Sequence, residues 1–254
     1  MVSISEAQIM AWMSPILWPF LRVLAVFTAA PVFSSRALPL RLRIGWAFLI
    51  ALAAQATLPA QPVIDLDGPD ALGTAVQQVG IGLAIGFAVR LIFGAFELAG
   101  QIVGFQMGLG FAAFFDPSTS AQSSAMGRCY NNLAALLFIV INGPVMVLMA
   151  VIHSFDAFPV GQDLLQVLGR LRMHELGADL FASAFWIALP VVAILMFANL
   201  ALGIVSRVAP QMNIYAIGFP ITLSVGMLAV AITVPLLEQP FAALMQRMMA
   251  LFGR

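Results

Sequence analysis

The chain has 254 residues, 62% of them hydrophobic and 9% charged, with mean hydropathy +1.03. Soluble domains carry about 25% charged residues, so this composition excludes an ordinary soluble domain and indicates an all-α integral membrane protein. The formal net charge is zero and, two histidines aside, every basic residue is arginine, which leaves no basic field for nucleic acid.

Residues 1–14 contain Glu6 and no arginine, so the basic start of a cleaved signal peptide is missing and the first apolar stretch reads as a permanent helix. Six apolar stretches are candidate spans: 9–32, 44–58, 71–96, 130–152, 180–205 and 214–237, the second of them short. Pro15, Pro19, Pro144, Pro190, Pro220 and Pro235 interrupt these stretches, which predicts kinked hydrophobic helices and hairpins rather than a straight bundle. Arg36, Arg41 and Arg43 separate the first two stretches; Asp65, Asp67 and Asp70 separate the next two. The positive-inside rule places the first loop in the cytoplasm and the second outside, so that six crossings leave both termini outside.

Three charged residues fall within or at the edge of apolar stretches, Arg22 in the first, Arg90 in the third and Glu97 at the end of the third. Such groups need partners in a membrane. Arg90 and Glu97, seven apart, share a helix face but lie too far along it to pair directly. Two readings stay open: polar groups lining a pathway, or buried contacts with another helix or chain. Asn131, Asn132, Asn142 and Asn199 read as interhelical hydrogen-bonding groups. Gly82 and Gly86 form a small-xxx-small pair, and Gly100, Gly104 and Gly108 a longer ridge, both suited to close helix packing.

Residues 100–124 carry the most information. A glycine-ridged helix gives way to a phenylalanine-rich, proline-broken and finally Ser/Thr-rich loop. Irregular backbone in a membrane must be buried in protein or line an aqueous path, so a mobile apolar loop here has the makings of an obstruction in a conduit. Further on, residues 161–179 are the largest polar interruption, with Leu164, Leu165, Leu168 and Leu171 at the spacing of a short amphipathic helix. A helical hairpin around the turn 207–213 follows.

Enzyme signatures fail on inspection. His174-Glu175 opens like a zinc-protease motif, but Ala178 stands where the second histidine belongs. Gly108, Gly110 and Ala113 match a dinucleotide pattern, yet Phe114, Phe115, Asp116 and Pro117 follow where a helix is required. Cys129, the one cysteine, has no metal-ligand spacing, and His153 reads as solvated or interfacial. Neither catalysis nor a cofactor or metal is expected.

Three stretches resemble the FliR family of flagellar export-gate membrane proteins, whose injectisome relatives are the SctT proteins. They are residues 22–50, with an APVF turn and then Pro39, Arg41, Arg43, Ile44 and Gly45; residues 97–117, ELAGQIVGFQMGLGFAAFFDP; and residues 187–237. The resemblance implies a non-enzymatic subunit of a type III protein export gate in the bacterial inner membrane, at the flagellar basal body. One copy would co-assemble with FliP and FliQ, contact FlhB and membrane lipid, and pass unfolded flagellar proteins. It implies a FliP-like part over residues 1–178 and a FliQ-like helical hairpin over 179–254. It also implies a plug loop over about 106–124, with Gln106 and Met107 at its start. Phe111, Phe114 and Phe115 would fill the pore, Gly108 and Gly110 would be the hinge, and Asp116-Pro117 would end the apolar part. The equivalent subunit of a virulence injectisome and a stand-alone secondary transporter are the alternatives.

Overall fold

A computed structural model describes residues 6–35, 38–58, 62, 64, 68–111, 124–162, 169, 173–209 and 214–252. Among these the regular structure is helical: α1 (Glu6–Ala29), α2 (Leu40–Ala54), α3 (Pro69–Gln106), a 3₁₀ turn at Leu109–Phe111, α4 (Ala125–Val140), α5 (Gly143–Ala157), α6 (Met173–Val208), α7 (Ile214–Thr233), a 3₁₀ turn at Val234–Leu237 and α8 (Glu238–Ala250). Pro15 and Pro19 lie inside α1, Pro190 inside α6 and Pro220 inside α7. Membrane helices tolerate such breaks because neighbours satisfy the freed carbonyls.

The six expected spans contract. Three helical stretches among the described residues are long and apolar enough to cross a membrane, Asp70–Gln106, Leu176–Val208 and Ile217–Ala250, with a fourth if the broken pair α4 and α5 counts as one span. The stretch at 44–58 falls out because α2, with 15 residues, is only about 22 Å long against a hydrocarbon core of about 30 Å. The first stretch falls in α1, whose 24 residues reach span length, and Met13–Ala29 is its apolar part among the described side chains. The stretch at 130–152 is not one helix. Asn142 adopts a left-handed conformation (φ 57°), and Pro144 then starts α5, where its missing N–H costs nothing. The third stretch is longer than expected, because nothing breaks α3 before Gly108. Of the residues at 161–179, positions 163–168 and 170–172 lie outside the described residues, as do Arg36, Asp65 and Asp67.

The chain forms two compact units. One comprises Met1–Leu91, Asn142–Leu176 and Leu244–Arg254; the other comprises Ile92–Ile141 and Gly177–Ala243. In the first unit α1 packs on α2 and α3. Gly82 and Gly86 make that contact possible. A β-carbon at Gly82 would run into the Arg22 carbonyl oxygen and lie 2.7 Å from Ala25 Cβ; one at Gly86 would lie 2.5 Å from Ala29 Cβ. Trp18, Val26, Ala30, Ile81, Ile85 and Phe155 fill the interior.

In the second unit Phe96 and Phe93 of α3 meet Phe241 of α8 edge-on at centroid separations of 5.2 and 6.2 Å, and Phe93 meets Phe138 of α4 at 5.8 Å. Edge-to-face pairs at these distances add about 0.5–1.5 kcal/mol each beyond area burial. Gly100 and Gly104 face α4: a β-carbon at Gly100 would stand 2.5 Å from the Met126 carbonyl oxygen and 2.9 Å from Tyr130 Cβ, whereas one at Gly104 would meet side chains only, the nearest Met126 at 3.3 Å. Gly108 does not continue this ridge. It lies beyond the end of α3 with φ +84°, a conformation open at little cost only to glycine.

Candidate functional site

Two constellations of polar and special residues stand out, one in each unit. The first surrounds Arg22, which is fully buried. Its Nε donates to Gln78 Oε1 at 2.8 Å, its Nη1 to Ser154 Oγ at 2.9 Å and its Nη2 to the Phe158 carbonyl at 3.0 Å. The guanidinium carbon sits 3.6 Å from the centroid of the Phe155 ring. A planar fork of donors suits three acceptors spread over two helices and a turn, and the ring face adds a cation–π contact.

The neighbouring glutamines extend the network. Gln78 Nε2 donates to Gln77 Oε1 at 3.2 Å, and Gln77 Nε2 donates to the Pro159 carbonyl at 3.1 Å. The Gly161 N–H donates to Gln77 Oε1 at 3.1 Å, in a turn where Gly161 has φ +90°. Gln78, Gly82 and Gly86 follow one another at spacing four on α3. The close approach that the glycines permit is what lets Arg22 reach Gln78. None of Arg22's hydrogen-bond partners is acidic; Arg90 is exposed and Glu97 half-buried. The arrangement is a positioning network and supplies no reactive group.

The second constellation lies at the C-terminal end of α3. The Met107 N–H closes the last turn onto the Val103 carbonyl at 2.9 Å, and the Gly108 N–H reaches the Phe105 carbonyl at 3.0 Å. Met107 is fully buried. The Thr222 hydroxyl of α7 lies 3.3 Å from the Met107 carbonyl oxygen and 3.1 Å from the Phe219 carbonyl, so one donor is shared between the two. The Met107 side chain lies on Gly226, where a β-carbon would come within 2.5 Å of its Cγ. A β-carbon at Gly108 would lie 3.3 Å from the Phe219 ring, and one at Gly110 would lie 2.8 Å from the Phe105 ring.

The segment that leaves here returns at Ser124, whose hydroxyl caps α4 by accepting from the Gly127 N–H at 3.0 Å. A β-carbon at Gly104 would lie 3.7 Å from that same Ser124 Oγ. Met107 is thus held against α7, and Ser124 starts α4 beside Gly104 of α3. Gln106 ends α3, and Gly110 and the Phe111 backbone belong to the short 3₁₀ turn. Phe114, Phe115, Asp116 and Pro117 lie outside the described residues.

Sequence reading singled out Met107, Gly108 and Gly110 but not Phe219, Thr222 or Gly226. Their signal was the small-xxx-small pair Thr222 and Gly226 in a helix otherwise read as plain hydrophobic. Gln77, Gln78 and Ser154 were missed as well, although two adjacent glutamines in an apolar stretch are a legible anomaly. Cys129 and His153 are exposed, and no group of acidic, histidine and cysteine side chains among the described residues could hold a metal ion.

Long apolar helices and glycine-mediated packing define a helical, multi-span membrane protein. The chain matches the family described as bacterial export proteins, family 1, over residues 13–248. It is 38% identical over 243 residues to the flagellar biosynthetic protein FliR of Escherichia coli strain K12, covering 95% of this chain and 92% of that protein. It is 36% identical to FliR of Pectobacterium carotovorum subsp. carotovorum over 95% of this chain and 92% of that protein. Against FliR of Bacillus subtilis strain 168 the identity is 31%, over 82% of this chain and 81% of that protein. The chain belongs to the bacterial export proteins, family 1, the family of these FliR proteins.

Proposed function

We propose that this chain is a non-enzymatic core subunit of the flagellar type III protein export gate in the bacterial inner membrane. It assembles there, as one copy, with FliP-like and FliQ-like subunits, and it closes the channel with the loop at about 106–124. The observation that carries this reading is the family match across residues 13–248, joined to FliR relatives that span 95% of the chain. The glycines and phenylalanines of the loop support the plug assignment: apolar side chains on a hinge-permissive backbone suit a seal that must move aside. Apolar constrictions close a channel to ions by dewetting. Residues 1–178 form the FliP-like part and 179–254 the FliQ-like hairpin. FlhB and unfolded flagellar proteins in transit are the further partners.

Co-expression with FliP and FliQ homologues from the same host, mild detergent extraction and native mass spectrometry test the assignment. A complex with one copy of this chain and several of each partner is expected. A partner-free homo-oligomer would overturn it in favour of a stand-alone transporter.

Within the loop, Gly110→Asp is expected to cut secretion on the order of tenfold, because a carboxylate without a partner is costly in an apolar seal. The new side chain starts against the Phe105 ring. Gly110→Ala should be far milder, since the exposed Phe105 ring can swing. Secretion of a reporter hook protein into the medium, with motility in soft agar, reads both variants. Normal export by the aspartate variant would remove the plug from this position.

A further inference from the structure

Arg90 has no role in the fold described above. It lies on α3, inside the apolar stretch Asp70–Gln106. A span of about 20 residues placed anywhere in that stretch, except starting at Asp70 itself, includes it. Arg90 is nonetheless exposed, and among the described residues no hydrogen bond or ion pair reaches it. Glu97 follows on the same helix, about 10 Å further along the axis, too far to pair. Arg22 shows what the fold supplies when it keeps an intramembrane charge for itself: three acceptors and a ring face.

The surface that leads to Arg90 has the form of a helix-packing seam. Val76, Gly80, Leu83, Phe87 and Arg90 recur at alternating spacings of four and three, so they share one narrow face of α3. Val76, Leu83 and Phe87 are 47%, 43% and 41% exposed, and Gly80 is half-buried. Another side of the same helix lies on α1 through Gly82 and Gly86. The seam is therefore apolar, left open by the described helices of this chain, and marked by one positive charge. Lipid tails can cover its apolar part but offer nothing to a guanidinium. Charged groups at membrane depth face protein or water and pair with a group of opposite sign.

From this we infer that the Val76–Arg90 face of α3 is a subunit interface, occupied by an apolar helix of a different chain that carries an aspartate or glutamate at the level of Arg90. Charge complementarity selects that occupant. The open seam seats a helix, and the guanidinium fixes its register and rejects a helix without the acid. This names one contact of the assembly proposed above and rests on that reading.

The test uses the full chain, with tagged FliP and FliQ homologues of its own host co-expressed as the probe. Arg90→Glu is expected to lower the amount of chain recovered with the tag by about tenfold or more, because like charges then meet at the contact. Arg90→Met should lower it several-fold, and Arg90→Lys, which keeps the charge, should retain most of it. Produced without partners, the three variants should accumulate in membranes and melt as the parent does, because Arg90 serves no contact within the chain. A melting loss in the isolated chain would overturn the inference by giving Arg90 a part in the fold.

With p-benzoylphenylalanine in place of Phe87, irradiation of whole cells should join the chain to a partner subunit. An adduct with a second copy alone, or no protein adduct, would overturn the inference. A parental chain that recovers no partner removes the assembly reading and the interface together. A parental complex matched in yield by Arg90→Glu and Arg90→Met removes the interface and leaves the assembly standing.

Discussion

Arg22→Met is expected to lower the stability of the folded chain by about 3–5 kcal/mol, through acceptors left unpaired in the interior rather than through lost volume. Methionine fills much of the space and keeps the contact with Phe155. It supplies none of the three donors that now reach Gln78, Ser154 and the Phe158 carbonyl. Each orphaned buried acceptor costs about 1–3 kcal/mol. Ser154 is cushioned, because its hydroxyl also donates to the Val151 carbonyl. Arg22→Lys should fall between, since an ammonium is a compact point charge and cannot span three separated acceptors.

The diagnostic comparison is the double variant Arg22→Met with Gln78→Leu. Taking away an acceptor together with its donor removes part of the penalty, so the double change should cost less than the sum of the two singles. Thermal melting of detergent-solubilised protein, followed by retention of a monodisperse peak, gives the three values. Strict additivity would mean that Arg22 acts by bulk alone. A loss of 1–2 kcal/mol already changes cellular abundance several-fold, so the single methionine variant should be nearly absent from membranes.

Much of the chain was legible before its structure, and for physical reasons. Helices were readable because apolar residues run on for span lengths. Gly82, Gly86, Gly100 and Gly104 were readable as packing residues because only a missing β-carbon brings two backbones so close. The break at Asn142 was not, since a left-handed asparagine inside an apolar run leaves no trace in hydropathy; only Pro144 pointed there, and it was read as a kink. The shortness of α2 was readable, but its position was not: the helix starts four residues earlier than hydropathy shows, because Arg41 and Arg43, read as loop, lie inside it. Gly108 shows the limit of spacing arguments. It stands four residues after Gly104, as a helix ridge requires, yet α3 has ended and the residue serves its positive φ instead. Arg22 was visible as an anomaly, but its partners are 56, 132 and 136 residues away in sequence, a separation that no local pattern reports.

Gly100→Ala should be as damaging as many core truncations, although it adds one methyl group. The new β-carbon would lie 2.5 Å from the Met126 carbonyl oxygen and 2.9 Å from the Met126 carbonyl carbon. Both are backbone atoms of α4, so no side chain can rotate out of the way. Either α3 and α4 separate or one of them bends, and both responses loosen the packing of Phe93 against Phe138. Overpacking of this kind costs about 1–3 kcal/mol, more where backbone must move. Position 104 supplies the first control, because Gly104→Ala meets only side chains, Met126 at 3.3 Å and Ser124 Oγ at 3.7 Å, and should cost well under half as much. Position 73 supplies the second. Gly73 is exposed on the same helix α3 with nothing within 4 Å, so Gly73→Ala should stabilise by about 0.4–1 kcal/mol through helix propensity and the restricted unfolded chain. The expected order of melting temperatures is therefore Gly73→Ala above the parent, Gly104→Ala slightly below it and Gly100→Ala far below. Gly100→Ala melting at or above Gly104→Ala would show that α3 and α4 are not in backbone contact at Met126.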